Sequence, residues 1–172
     1  MSDHQELLDI VNEDNEVLHQ ATRGEAHERG LLHRCVLAQL VNSQGEWTLV
    51  RQAADRQDAG QWVSPMGGHV NAGESMEDAL RREVLEELGI ADFTHRFVGK
   101  VLYRRTVLGR DENHYFIFYE IYSDAEPVLN EESVEYKKFA KEDLKERIKT
   151  HPHEFGDAFF FGARAFYPEL FQ

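Results

Sequence analysis

Short apolar runs separated by polar turns organise the first half of the chain. Residues 7–11 read as a strand, 12–15 as an Asn/Asp turn and 17–22 as the returning strand. A helical turn is expected at 25–30, and the long apolar run 31–41 reads as a central strand. Residues 42–45 turn the chain back into 47–52 as a hairpin, and 53–60 form a polar loop. A brief strand at 61–64 leads into the loop 65–68, where consecutive glycines permit a tight backbone and close approach of a ligand. After a second loop, 71–73, a helix is expected from Ser75 to Leu88, with Gly89 as its C-cap. Ser75 and Asp78 have the spacing of a capping box. Residues 93–103 and 114–122 read as strands around a polar turn, with a shorter strand at 134–139. Helices are expected at 142–149 and 157–167, the latter ending before Pro168. This order predicts an α+β domain with a mixed sheet.

Composition sharpens the picture. The chain has 172 residues and no repeat or linker, so a single domain spanning 1–172 is expected. Apolar residues, 41% of the total, are spread along it, as a packed core requires. The single cysteine, Cys35, allows neither an internal disulfide nor a paired-cysteine zinc site, and it fits a reducing, cytoplasmic compartment. Residues 1–14 are acidic and lack a basic segment followed by an apolar one, so no signal peptide is expected. No apolar run is long enough to span a bilayer. The formal net charge of −13 disfavours nucleic acid and anionic membranes as partners. It also repels a phosphorylated substrate, which must be received by local cations, a metal ion or backbone N–H groups.

The helix at 75–88 carries Glu83, Glu86 and Glu87 at spacings of three and four, which makes them neighbours on one face. Leu80, Val84 and Leu88 form the apolar stripe beside them. Three adjacent carboxylates destabilise an isolated helix, and a hard divalent cation resolves that conflict. Mg²⁺ prefers oxygen ligands and keeps waters that substrate phosphates can replace. Glu74 and Arg82 form an opposite-charge pair about 12 Å apart in helical rise, so contact requires Glu74 to fold back from the loop.

Residues 68–90 match the Nudix box at each defined position: Gly68, Glu74, Arg82-Glu83-Val84, Glu86-Glu87 and Gly89-Ile90. The chain therefore resembles the Nudix hydrolases, and the order of its elements is similar to that family's α/β/α sandwich. The resemblance implies hydrolysis of a small-molecule diphosphate by attack of metal-activated water on phosphorus. By position, it implies that Glu83, Glu86, Glu87 and the Gly67 carbonyl bind Mg²⁺ or Mn²⁺, while Arg82 and Glu74 hold the motif in shape. A glutamate outside the box acts as base in some members, and Glu112, Glu131, Glu132 and Glu135 are the candidates here.

The N-terminal half is similar to one branch, the isopentenyl-diphosphate isomerases, through residues 7–15, Leu32-His33-Arg34 and Gly68-His69. That likeness implies a second, transition-metal site from His27, His33, His69, Glu112 and His114. Two departures weigh against isomerisation. Gly67 stands where the isomerases have a catalytic cysteine, and His114 stands at their catalytic glutamate. Hydrolysis is the preferred reading, with an isomerase-like enzyme or a non-catalytic nucleotide-binding module as alternatives. Trp47, Trp62, Tyr115, Phe116 and Phe118 are expected in the core. Arg51 and Arg56 are candidate phosphate contacts, whereas Arg104 and Arg105 are expected to be solvated at a hairpin end. The Phe159-Phe160-Phe161 run suits either the core or a homodimer face.

Overall fold

A computed structural model of the protein describes residues 5–107 and 109–172. Its organising element is strand β3 (His33–Val41), preceded by the hairpin β1 (Leu7–Val11)–β2 (Val17–Thr22) and the short helix α1 (Arg23–Glu28). It is followed by β4 (Trp47–Gln52), β5 (Trp62–Val63), β6 (Met66–His69) and helix α2 (Met76–Leu88). A long hairpin, β7 (Thr94–Val107) and β8 (Arg110–Tyr122), leads to β9 (Ser133–Phe139), α3 (Lys141–Thr150) and α4 (Asp157–Phe166).

Along one edge β3 pairs in parallel with β8 over its whole length, from His33↔His114 to Val41↔Tyr122. Along the other edge it meets three antiparallel partners in turn: β1 at His33, β6 at Cys35–Ala38 and β4 at Leu40–Val41. The sheet is therefore mixed, as expected. Alternation along β3 sends Val36, Ala38 and Leu40 into a core with Leu80, Val84 and Leu88 of α2. Leu37 and Val41 face the opposite core, which holds Leu144 and Ile148 of α3, Phe159 of α4 and Phe155 from the segment between them. Helices thus cover both faces of the sheet. Each fully buried side chain of this size contributes about 1.5–3 kcal/mol.

Helix α2 has the predicted ends. Ser75 Oγ accepts from the Asp78 N–H at 3.1 Å. Gly89 closes the helix at φ 64°, a left-handed conformation that glycine adopts without cost.

Two expectations are corrected. Residues 66–68 are not loop: Met66, Gly67 and Gly68 pair with Ala38, Leu37 and Val36 inside the sheet. Glycine's low strand propensity is overridden because β6 fills the gap that β1 and β4 leave along β3. The β7–β8 strands also run past the expected polar turn, with Arg105 opposite Glu112 and Thr106 opposite Asp111. Complementary cross-strand polar pairs sustain strands that carry no apolar signal. Trp47, Trp62, Tyr115, Phe116 and Phe118 are buried as expected, and of the Phe159-Phe160-Phe161 run Phe159 lies in the core. Among the described residues no helix is long and apolar enough to cross a membrane.

Candidate active site

The sheet positions β6 directly beside α2, and this contact builds the acidic site. Glu83 lies against the α-carbon of Gly68, where a Cβ would stand 2.0 Å from the Glu83 Cδ. Only glycine leaves room for that carboxylate. One residue earlier, the Gly67 backbone faces the Glu87 carboxyl and lowers its pKa slightly against the effect of burial. Arg82 ties the motif together. Its Nε and Nη2 donate to the two oxygens of Glu74, each at 2.9 Å, and Nη1 donates to Glu83 Oε1 at 2.6 Å. Nη2 also donates to the His69 carbonyl at 2.9 Å. Glu74 does fold back from its loop, and it accepts from the Asn71 N–H as well.

Electrostatics mark the same residues. Burial pushes the Glu83 carboxyl above the usual range, and the Arg82 guanidinium opposes this only in part. Glu87 is pushed well above the range, by burial first and then by the negative charges of Glu132 and Glu83. Ionisation of these carboxyls is disfavoured chiefly by burial, and a cation beside them would favour it. The three box glutamates do not lie at mutual ligand spacing. Arg82 holds Glu83 and lies 3.8 Å from Glu86, whose side chain is 58% exposed at the rim.

All three line one cavity of about 490 Å³, together with Gly67, Glu131 and Glu132. Its far wall carries His69, Glu112, His114, Tyr103 and Phe116, and Arg56 enters from the 53–60 loop. Of the candidate bases, Glu112, Glu131 and Glu132 face this cavity, whereas Glu135 pairs with Arg51 at 2.7 Å. Arg51 itself stacks on Trp62 and lies outside the cavity. Arg56 approaches Glu132 at 3.6 Å. Arg104 is exposed and pairs with Glu13, as a solvated residue would. Arg105 is not solvated: its side chain is half-buried between Glu112 and Asp157. Asp58 also lines the cavity and accepts from the Ala158 N–H of α4 at 3.1 Å. A polar loop without periodicity gave no sign of that contact.

A second cluster lies beneath the far wall. His27, His33, His69 and His114 offer nitrogens that all lie within 4.8 Å of one another. His33 and His114 are register partners on β3 and β8, and His69 comes from the other edge of β3. His33 Nδ1 sits 2.7 Å from the Leu31 carbonyl, which can only accept, so the ring's Nε2 carries a bare lone pair. That Nε2 and both ring nitrogens of His114 are buried without a hydrogen-bond partner. Burial pushes His33 down to about 4, with Arg23 adding to the effect against the Leu31 hydrogen bond. Burial likewise pushes His69 and His114 well below the usual value, so all three are neutral at pH 7. Glu112, the fifth residue of the expected set, is not among them. It is drawn to Arg105 at 3.8 Å and Arg110 at 3.7 Å.

Gly67 tests the isomerase likeness directly. A Cβ there would meet Leu37 Cδ2 at 2.7 Å, so Leu37 fills the room of a side chain at this position. Cys35 lines the cavity nearby, but burial pushes its thiol well up and keeps it protonated.

The chain is similar to known proteins of one family. The family model for the NUDIX domain matches residues 31–159. An uncharacterized Nudix hydrolase of Streptomyces coelicolor is 42% identical over 110 residues, covering 60% of this chain and 58% of that protein. The chain thus spans less than two thirds of the length of this relative. Isopentenyl-diphosphate Delta-isomerase 2 of Photorhabdus laumondii is 28% identical over 138 residues, 77% of this chain and 76% of that one. The crystal structure of DR0079 from Deinococcus radiodurans superposes with a TM-score of 0.73 at 26% identity, covering 94% of this chain and 99% of the other.

Proposed function

The chain belongs to the NUDIX family, whose members are hydrolases of acid anhydrides, and from that premise we propose that it cleaves a small-molecule diphosphate with a divalent cation held by Glu83, Glu86 and Glu87. The observation that carries this reading is the meeting of Glu83 and Glu87 with the glycines of β6 at the wall of one cavity. The donor set fits Mg²⁺ or Mn²⁺: it is all oxygen and open to substrate. The Gly67 carbonyl would complete it. A bound cation supplies a nucleophile from water at neutral pH and neutralises charge that develops on the phosphate oxygens.

The chain's own groups do the rest. Arg82 fixes Glu83 and Glu74, so it is a positioning residue. Glu112, Glu131 and Glu132 stand where a proton from the attacking water can be taken. Arg56 offers a guanidinium to a phosphate in a cavity otherwise dominated by carboxylates.

The histidine quartet adds a second ion to the proposal. Four clustered imidazoles, with unpartnered ring nitrogens on His33 and His114, suit Zn²⁺ or another transition ion rather than Mg²⁺. The 3.2 Å separation of His27 Nε2 and His69 Nε2 is close to the edge of a tetrahedron with ligands at 2.0–2.1 Å, about 3.3 Å. The quartet also favours kinship with the isomerases. Isomerisation, however, needs an acid and a base flanking an alkene, and Gly67, crowded by Leu37, supplies neither.

The test is a product-release screen over nucleotide sugars, dinucleoside polyphosphates, ADP-ribose, oxidised nucleotides and prenyl diphosphates, with Mg²⁺, Mn²⁺ or chelator. Cation-dependent cleavage of one class is expected. Turnover that persists in excess chelator would overturn the reading.

A further inference from the structure

Strand β6 is four residues long, and it touches both ion sites. The His69 ring belongs to the quartet, while the His69 carbonyl accepts from Arg82. The Gly68 α-carbon supports the Glu83 carboxylate, and Gly67 lines the cavity beside Glu87. Through Arg82 the strand also reaches Glu74 and Glu86. Each box carboxylate thus lies beside β6 or the guanidinium that β6 anchors.

We propose that the two sites are coupled through β6, so that an ion in the histidine quartet tightens cation binding by the acidic helix. The inference rests on the two-ion reading above. Its physical basis is preorganisation. The quartet buries three imidazole nitrogens without partners, one on His33 and two on His114, each at a cost of about 1–3 kcal/mol, and no hydrogen bond holds the His114 ring. His69 reaches them from a strand with two glycines, the most freely deformable backbone a chain can offer. β6 is already laddered to β3, and an ion that joins the His69 ring to His33 and His114 adds a side-chain tie from β6 to both strands of the parallel pair β3–β8. The second cation then meets carboxylates whose supports are already fixed, and ordering that has occurred once is not repeated.

Repulsion between the two cations acts in the opposite direction. Glu112, Glu131 and Glu132 line the intervening cavity, and Glu83, Glu86 and Glu87 lie on its wall. That excess of negative charge screens the repulsion, so preorganisation sets the sign. Linkage requires reciprocity: the helix-site ion must tighten the quartet by the same factor.

Calorimetric titration of the full chain with Mg²⁺, which avoids imidazole, reads the helix site with and without one equivalent of Zn²⁺. Zinc occupancy is checked by elemental analysis. The expected result is Mg²⁺ affinity about fivefold or more higher in the zinc-loaded protein. His114→Gln, which removes a quartet ligand on β8 and leaves the β6 sequence intact, should abolish the zinc-induced change. Equal or weaker Mg²⁺ affinity with zinc bound overturns the coupling alone. Failure to retain zinc overturns the quartet and the coupling together. Absence of Mg²⁺ binding in both forms overturns the helix site itself.

Discussion

The carboxylate of Glu83 rests on the α-carbon of Gly68, with no space for even a methyl group between them. The opening glycine of the box is therefore a spacer for its central glutamate. Gly68→Ala must displace Glu83, and overpacking of this kind costs about 1–3 kcal/mol. We expect the variant to fold, to lose about 1–3 kcal/mol in urea unfolding, and to lose turnover about 100-fold or more as the cation site is spoiled. Wild-type turnover in Gly68→Ala would show that Glu83 need not sit there.

Glu74 carries a pH signature. Burial pushes its carboxyl up, but the Arg82 hydrogen bonds and the Asn71 N–H outweigh that and hold it below the ordinary range. A depressed carboxylate contributes stability that is present above its unfolded value, about 4.3, and is lost as pH falls through the folded value. Glu74→Gln should therefore be less stable than wild type at neutral pH, with the gap closing below about pH 4. Denaturant midpoints at pH 7 and pH 3.5 measure it. A gap that stays constant would mean the ion pair contributes nothing.

Glu87 should behave in the opposite way. Its folded carboxyl is raised, so ionisation at neutral pH destabilises the ion-free protein. Glu87→Gln keeps the size of the side chain and removes the charge. We expect a melting temperature equal to wild type or about 2–4 °C higher in chelator, alongside loss of turnover. Added Mg²⁺ should stabilise wild type and leave this variant nearly unmoved.

The sequence carried the fold where periodicity was strong. The central run 31–41, the β1–β2 hairpin and the capped helix at Ser75–Gly89 appear in the structure within two residues of expectation. It failed where tertiary context overrode local preference. Gly67 and Gly68 form a strand because β3 has an edge to fill, and Arg105 is half-buried because Glu112 and Asp157 converge on it. The acidic face of α2 follows from helical spacing, but the partners that support it, Gly67, Gly68 and the Arg82 fork, depend on β6 docking beside the helix. The quartet is the most distributed feature. Its histidines come from α1, β3, β6 and β8, so their meeting is set by strand order and not by spacing. Glu112 lies outside the histidine group, 3.8 Å from Arg105 and 3.7 Å from Arg110, two residues silent in the motif.

Counting bound Mn²⁺ by electron paramagnetic resonance tests the acidic ion site most directly. The measurement compares wild type with the Glu83→Gln/Glu87→Gln double variant, both confirmed folded by circular dichroism. The account predicts that the double variant loses one equivalent of bound Mn²⁺ while any ion held by the histidines remains. Unchanged stoichiometry and affinity in the double variant would contradict it.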